Sequence, residues 1–281
     1  MNELDAVIER ALGSRPVAYE PRPGGYSTAD RFRVSLADGR SVFVKSAAAP
    51  HLAQWLRREH EVYGSLVGGF IPTLVGWDDD GTRPLLALED LSEADWQVAW
   101  DTYRVDAVCA SLDELARSAP PPGTPTVREG FAELFGRWAV VADNPKPFLS
   151  TGLRSPAWLE ERLPEILATA ETAPVDGDDL CHLDVRSDNL CFRDGRALLV
   201  DWNWLSRANA DLDLAAWLPS LAVEGGPLPW QVLPGHGALA AFIAGVWAAV
   251  VGLPPPETAP TVRSLQRAQL AVALDWIDRE L

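Results

Sequence analysis

One β-rich segment interrupts a long region in which apolar residues otherwise recur with a helical period. From Trp96 to the C-terminus the spacing predicts helices, except between residues 180 and 201, where short apolar runs adjoin polar residues. We expect strands at Leu180–Asp184, Leu190–Phe192 and Ala197–Asp201, with a turn at residues 194–195 joining the last two. A hairpin that carries polar residues at its strand ends, set inside a helical region, is the strongest constraint on the fold.

The first ninety residues follow a different pattern, with short alternating runs. A helix is predicted at Glu3–Leu12, and strands at Arg31–Leu36 and Ser41–Lys45 are joined by a turn at residues 38–39. A helix at Pro50–Leu66 and strands at residues 71–76 and 84–88 complete the expected elements. The sequence therefore predicts an α+β fold of two lobes, with an antiparallel sheet in residues 1–90 and mostly helices in residues 91–281.

The helices expected in the second lobe share a period near 3.6 residues. They are Val98–Arg117, Val127–Val141, Pro156–Thr172, Asp211–Leu221, Gly237–Val251 and Thr261–Leu281. The longest apolar stretch, residues 237–252, is too short to cross a bilayer comfortably and predicts a buried helix. Since residues 1–5 do not resemble a secretory signal, we expect a cytoplasmic protein without membrane association. The three cysteines lack metal-binding spacing, which favours neither a disulfide framework nor a zinc site.

The charge is strongly negative and unevenly distributed. The formal net charge is −16 for the whole chain, and counting along it gives −1 for residues 1–88 and −15 for residues 89–281. Such a charge repels nucleic acid phosphates, so no nucleic-acid partner is expected. The acidic second lobe indicates either a surface that keeps the protein soluble or a field that attracts a cationic ligand.

The hairpin region carries residues suited to phosphoryl transfer. This reaction needs a cradle for phosphates, oxygen ligands for Mg²⁺ and a base for the acceptor hydroxyl. Residues 182–189 fit the spacing HxDxxxxN, which makes Asp184 the candidate catalytic base and Asn189 a candidate metal ligand. Asp201 follows the next strand, where a second metal ligand is expected. The alternative interpretation is that Asp184 and Asp201 are ordinary turn carboxylates.

Lysine usage points to a phosphate contact in the first lobe. Only Lys45 and Lys146 occur in a chain rich in arginine, and Lys45 ends a predicted strand. A compact ammonium group is suited to this position, although a surface lysine is the competing interpretation. On the following helix Glu59 and Glu61 are the candidate ion-pair partners of Lys45. Helical spacing favours Glu59, because it shares a face with Tyr63.

A glycine pair precedes the first hairpin. Gly24 and Gly25, followed by Ser27, lie where backbone amides can close over phosphates, although a flexible turn explains them equally well.

Taken together, residues from about Tyr19 to Leu221 resemble the aminoglycoside phosphotransferase and choline kinase-like group of the protein-kinase-like fold. The resemblance rests on these segments: 24–27, Lys45, 58–59, 88–91, 182–189, 199–202 and 211–215. It implies a bilobal α+β fold with a five-stranded first lobe, ATP or GTP as donor and Mg²⁺ as cofactor. It also implies a hinge at which Glu89 and Leu91 bind the nucleotide, and a catalytic loop supported by His182 and Asp213. Two positions depart from the usual pattern, Leu183 and Asn203.

The acceptor is the least constrained part of the prediction. We expect a cation, an aminoglycoside or a cationic peptide antibiotic, with Asp211, Glu224 and Trp204 as candidate contacts and resistance as a use of the activity. A metabolite kinase acting on choline, an amino alcohol or a sugar would share every motif. A silent nucleotide-binding module is disfavoured by the complete set of motif residues. A protein kinase is disfavoured because only eleven residues separate Asp201 from Asp213. A monomer or homodimer is expected.

Overall fold

The computed structural model describes residues 3–22, 29–96, 99–256 and 259–281. The chain divides into two compact units, each built from several stretches of sequence. The first comprises Met1–Val98, Asp106–Pro122 and Ser187–Leu205, and the second comprises Ala99–Val105, Gly123–Arg186 and Ser206–Leu281.

Nine strands occur in the described residues. They are β1 (Pro16–Pro21), β2 (Asp30–Leu36), β3 (Ser41–Ser46), β4 (Leu74–Asp78), β5 (Leu85–Glu89), β6 (Asp179–Cys181), β7 (Leu190–Arg193), β8 (Arg196–Leu199) and β9 (Ser206–Ala208). Eleven α-helices are described: α1 (Glu3–Leu12), α2 (Pro50–Ser65), α3 (Thr102–Ala116), α4 (Val127–Gly130), α5 (Arg137–Asp143), α6 (Lys146–Ser150), α7 (Pro156–Glu171), α8 (Asp211–Val223), α9 (Pro229–Val232), α10 (Gly237–Ala248) and α11 (Val262–Glu280).

The first unit is built around an antiparallel sheet of five strands in the order β1-β2-β3-β5-β4. Its core is formed by α1 packed on the sheet, with Ile8, Val34, Val44 and Leu85 among the buried side chains. Close packing of α1 on β4 requires Gly76, because a Cβ there would lie 2.7 Å from the carbonyl oxygen of Ala11. The expected hairpin is present as β2 and β3, whereas β1 was not predicted because its residues lack a clear alternation.

A short hairpin also belongs to the first unit. Strands β7 and β8 pair antiparallel, with Leu190 opposite Leu199, and a 3₁₀ turn over Ser187–Asn189 leads into the first of them. The side chains of Leu190, Cys191 and Leu198 are buried, and Cys191 and Leu198 pack with Leu91. This is the β-rich interruption expected from the sequence.

The second unit is helical apart from a two-stranded ladder between β6 and β9. Helix α10 is almost entirely buried and packs against α5, α7, α8 and α11. The helix expected at residues 127–141 is instead broken into α4, a 3₁₀ turn and α5, since Gly136 adopts a left-handed φ of 63°. None of the helices described is both long enough and apolar enough to span a bilayer.

Candidate active site

In the first unit, Lys45 lies between two carboxylates. Its Nζ atom is 2.5 Å from Oε1 of Glu59 and 3.2 Å from Oδ1 of Asp201. Lys45 comes from β3, Glu59 from α2, and Asp201 follows β8. Three separate segments therefore bring one ammonium group and two acids together, and Glu59 is almost fully buried, with 2% of its surface exposed.

Of the two glutamates on helix α2, Glu59 rather than Glu61 makes this contact. Glu59 and Tyr63 lie on its buried side, whereas Glu61 is exposed. Residues four apart on a helix share a face and residues two apart do not, which is why the two glutamates differ. The ion pair is a feature of the structure, while the role of Lys45 and Glu59 in binding nucleotide remains a prediction.

The charge balance of this group perturbs its pKa values. Burial raises the pKa of Glu59 to about 8 against the opposing charge of Lys45, and the nearby Asp201 adds to the rise. Burial alone would lower the pKa of Lys45, but the charges of Glu59 and Asp201 outweigh it and raise this pKa above its usual value. One cation cannot neutralise two acids, so ionisation of Glu59 is disfavoured, and a further bound cation would favour its ionised form.

The open end of the β7–β8 hairpin holds the two candidate metal ligands. The Asn189 carbonyl oxygen accepts a hydrogen bond from the Val200 amide at 3.0 Å. Val200 is therefore paired with Asn189, and Asp201 is the next residue along the chain. Asn189 is buried, and Asp201 has a left-handed φ of 68°, a conformation that Asp tolerates better than most residues.

The donor set at this hairpin end fits Mg²⁺. No three His, Cys, Asp or Glu side chains among the described residues form a metal cluster of their own. Mg²⁺ does not need one, because it is commonly held by one or two protein oxygens together with phosphates and water. A carboxylate and an amide oxygen at adjacent positions meet this requirement.

Asn203 joins the same group, although the sequence suggested no role for it. Its Nδ2 atom donates to Glu59 Oε1 at 2.9 Å and to Asp201 Oδ1 at 2.7 Å. The only signal in the sequence was that Asn203 departs from the pattern of similar chains two residues after Asp201. Its contact with Glu59 depends on α2, which is distant in sequence.

Of the remaining nucleotide-binding candidates, the structure describes some and not others. Glu89 accepts from Arg193 at 2.8 Å and from the Thr73 amide at 2.9 Å, and these contacts lower its pKa although burial acts to raise it. The Leu91 carbonyl oxygen accepts from the Trp96 indole at 2.8 Å. Gly24, Gly25 and Ser27 lie outside the described residues.

In the second unit, Asp184 lies after β6 in the loop that the sequence predicts to be catalytic. Arg186 donates a close hydrogen bond to Oδ1 of Asp184, a contact that the sequence analysis did not identify although both residues lie in the motif. The Asp184 amide donates to Nδ1 of the buried His182 at 3.2 Å. The Arg186 contact orients the Asp184 carboxylate, and the His182 contact fixes the Asp184 backbone.

Asp213, at the start of α8, holds the backbone of this loop. Its two carboxylate oxygens accept from the amides of His182 at 2.7 Å and Leu183 at 2.6 Å. Burial raises the pKa of Asp213 to about 7, although the two amides act to lower it. Leu183 has a left-handed φ of 61°, which disfavours a leucine by about 1–2 kcal/mol, so these hydrogen bonds fix a strained position.

The acidic acceptor candidates lie at opposite ends of α8. Asp211 begins the helix and contacts Nε2 of His236 at 3.2 Å, whereas Glu224 follows its last residue and accepts from the Trp100 indole at 2.8 Å. Thirteen residues of helix rise about 20 Å. One ammonium group therefore cannot contact both carboxylates.

Of the two tryptophans near Asp201, only Trp204 has an accessible side chain. Trp202 is fully buried, donates to the Leu199 carbonyl at 3.1 Å and packs against Phe70, so it belongs to the core of the first unit. Trp204 is half-buried. Its contact with an acceptor remains a prediction.

The fold and these groups define a class of protein, the kinase-type phosphotransferases with a protein-kinase-like α+β fold. The model of the APH family, described as the phosphotransferase enzyme family, matches residues 18–255. The chain belongs to this family, and it is a phosphotransferase of the small-molecule kinase type. A comparison with curated protein sequences gave no match.

Solved structures of similar fold act on several kinds of small molecule. Spectinomycin phosphotransferase APH(9)-Ia, solved with ADP and spectinomycin, is 12% identical with a TM-score of 0.64, and the alignment covers 99% of this chain and 98% of that one. Macrolide 2′-phosphotransferase MphH from Brachybacterium faecium is 16% identical with a TM-score of 0.58 and coverages of 97% and 98%. A choline/ethanolamine kinase family protein from Mesorhizobium loti is 14% identical with a TM-score of 0.56 and coverages of 94% and 91%. At these identities the similarity shows the fold.

Proposed function

We propose that this protein transfers the γ-phosphoryl group of ATP to a hydroxyl group of a cationic small molecule. The observation that carries the proposal is the partly buried group of Lys45, Glu59 and Asp201, in which Lys45 Nζ is 2.5 Å from one carboxylate and 3.2 Å from the other. A buried lysine held by a glutamate, next to a carboxylate suited to metal, is the arrangement that phosphate positioning requires.

The residues of the first unit would bind and orient the nucleotide. Lys45 would contact the phosphates while Glu59 keeps the ammonium group in place. Asn189 and Asp201 would hold Mg²⁺, which when bound neutralises phosphate charge. The solved structures of an amicoumacin kinase with AMP-PNP and Ca²⁺ and of a spectinomycin phosphotransferase with ADP support the use of a nucleotide and a divalent cation by this fold.

Asp184 would act on the acceptor. Its carboxylate takes the proton of the attacking hydroxyl as the bond from that oxygen to the γ-phosphorus forms and the bond from phosphorus to the β,γ-bridging oxygen breaks, which releases ADP. Arg186 and the His182 ring orient Asp184, and Asp213 fixes the loop backbone that carries it. Positioning of this kind supplies much of the acceleration in phosphoryl transfer.

Charge supports a cationic acceptor, with an aminoglycoside-like or peptide antibiotic as the class we favour. Residues 89–281 carry a net charge of −15, and fields of this kind raise association rates of cations. Of the acidic candidates, Asp211 is the better contact, because it lies two residues from Asp213, which binds the catalytic loop. Phosphorylation of such an antibiotic would then confer resistance to it.

A substrate panel tests the proposal. ATP consumption is measured with aminoglycosides, cationic peptides, choline, amino alcohols and neutral sugars, with and without Mg²⁺. The best amine is then compared with its N-acetylated form, which keeps the hydroxyl group and loses the charge. We expect turnover that requires Mg²⁺, and a kcat/KM for the amine that falls steeply with salt, since the Debye length shortens to about 8 Å at physiological ionic strength. A neutral sugar as best acceptor, with salt-independent kinetics, would refute the cationic assignment.

A further inference from the structure

The amide of Asn203 has a fixed orientation. Its Nδ2 atom donates to one oxygen of Glu59, at 2.9 Å, and to one oxygen of Asp201, at 2.7 Å. Rotating the amide by half a turn would direct Oδ1 at both carboxylates, and an acceptor facing two acceptors is repelled. The two acids therefore determine which atom of Asn203 points away from them.

That atom, Oδ1, is buried without a hydrogen-bond donor. An acceptor buried and unpaired costs about 1–3 kcal/mol, so native proteins rarely retain one unless a bound ligand, ion or water completes it. Both polar atoms of the amide group are attached to one carbon, which places Oδ1 within about 5 Å of Asp201 Oδ1. The unpaired oxygen thus lies close to the carboxylate expected to ligate metal.

We propose that Asn203 contributes Oδ1 to the divalent-cation site beside Asn189 and Asp201, as an amide oxygen bound to the cation itself or to one of its waters. This inference rests on the proposed use of Mg²⁺ with ATP. An amide oxygen is a ligand that Mg²⁺ and its hydration shell accept, and the neighbouring Asp201 carboxylate favours a cation there. The side chain adds an oxygen to the site without adding a third negative charge.

A purely structural role for Asn203 makes the opposite prediction for one substitution. If the side chain only bridges Glu59 and Asp201 through Nδ2, then Asn203→Asp is more harmful than Asn203→Ala, because it places a third carboxylate against two others. If Oδ1 serves the cation, Asn203→Asp keeps that oxygen and strengthens the attraction for Mg²⁺, whereas Asn203→Ala removes it. The order of the two variants in Mg²⁺ affinity therefore separates the two roles.

The experiment is calorimetric titration with a non-hydrolysable ATP analogue, over a series of Mg²⁺ concentrations and in EDTA. For Asn203→Ala we expect the Mg²⁺ concentration at half-saturation to rise by about 10- to 100-fold, the usual cost of losing an oxygen around a bound metal. Analogue binding in EDTA should change less than about twofold, and Asn203→Asp should need no more Mg²⁺ than the unaltered protein. Asn209→Ala is the matched control, since it also loses two hydrogen bonds but lies in the second unit, and its Mg²⁺ dependence should not change.

Thermal melting of the same variants gives a second measurement if a variant is too unstable for calorimetry. Mg²⁺ and the analogue should raise the melting temperature of Asn203→Asp more than that of Asn203→Ala. The proposal is overturned if Asn203→Asp needs more Mg²⁺ than Asn203→Ala, if it does not fold even in Mg²⁺, or if Asn203→Ala loses affinity equally in EDTA. If the unaltered protein binds the ATP analogue equally well with and without Mg²⁺, the proposed function fails together with the role of Asn203. If only the variants behave differently from expectation, the role of Asn203 fails alone.

Discussion

Replacing Glu59 with alanine tests the group on which the proposed function depends. The substitution removes the acceptor of Lys45 Nζ at 2.5 Å and of Asn203 Nδ2 at 2.9 Å. It leaves a largely buried ammonium group, with 13% of the Lys45 side chain exposed, to pair with Asp201 alone at 3.2 Å. Glu61→Ala is the control, because Glu61 is exposed on the same helix.

The size of the effect follows from burial. Removing one partner of a buried ion pair costs about 3–5 kcal/mol, and the remaining contact of Lys45 with Asp201 places the expected loss near the lower end, at about 3 kcal/mol. A loss of this size lowers the melting temperature of a protein of this length by about 6 °C or more. Glu61→Ala should stay within about 0.5 kcal/mol of the unaltered protein.

Two measurements check this prediction. Denaturant unfolding gives the change in free energy, and steady-state kinetics give kcat/KM for MgATP, which should fall by about tenfold or more for Glu59→Ala because Lys45 is no longer held in place. The reasoning is refuted if Glu61→Ala produces both losses and Glu59→Ala neither.

Three further predictions concern the second unit. Asp184→Asn should lower kcat by about 100- to 10,000-fold and leave ATP-analogue affinity within about twofold, and near-normal kcat would exclude Asp184 as the base. Asp213 has a pKa raised to about 7 in the folded state, so the folded protein binds its proton more tightly than the unfolded chain, and the stabilisation present below about pH 4 is lost as the pH rises through 7. Denaturant unfolding of Asp213→Asn should therefore show a stability deficit that narrows by up to about 4 kcal/mol between pH 4 and pH 8, whereas a constant difference would contradict the raised pKa. Asp211→Asn should raise KM for the cationic acceptor with a modest change in kcat, and Glu224→Gln, about 20 Å away along α8, should not. Equal increases in KM would contradict this choice.

Strained backbone occurs at two loop positions next to the functional groups. Leu183 and Asp201 have φ values of 61° and 68°. Leu183 directly precedes the proposed base Asp184, and Asp201 is itself a proposed metal ligand. Asp213 holds the first position through the Leu183 amide at 2.6 Å, and the Asp201 side chain is held by Lys45 and Asn203. Strain of this kind persists when neighbouring contacts fix it, and it orients side chains before substrate binds.

The sequence alone determined the class of fold and the principal chemistry. Helical and alternating periods predicted an α+β chain, because those periods follow directly from backbone geometry. The spacing of His182, Asp184 and Asn189 predicted a catalytic loop, since these residues lie within one short segment. The helical face shared by Glu59 and Tyr63 indicated the correct partner for Lys45 because neighbours on a helix are fixed by its pitch.

Only the tertiary structure decided which distant groups meet. The contact of Asn203 with Glu59 joins residues 144 positions apart, and no local pattern encodes it. The same is true of the burial of Trp202 against Phe70 and of the His236 contact with Asp211. The raised pKa of Asp213 likewise depends on desolvation, which arises only when the helices of the second unit pack around it. Short segments of sequence determine local backbone geometry, whereas burial and contacts between distant residues depend on the folding of the whole chain.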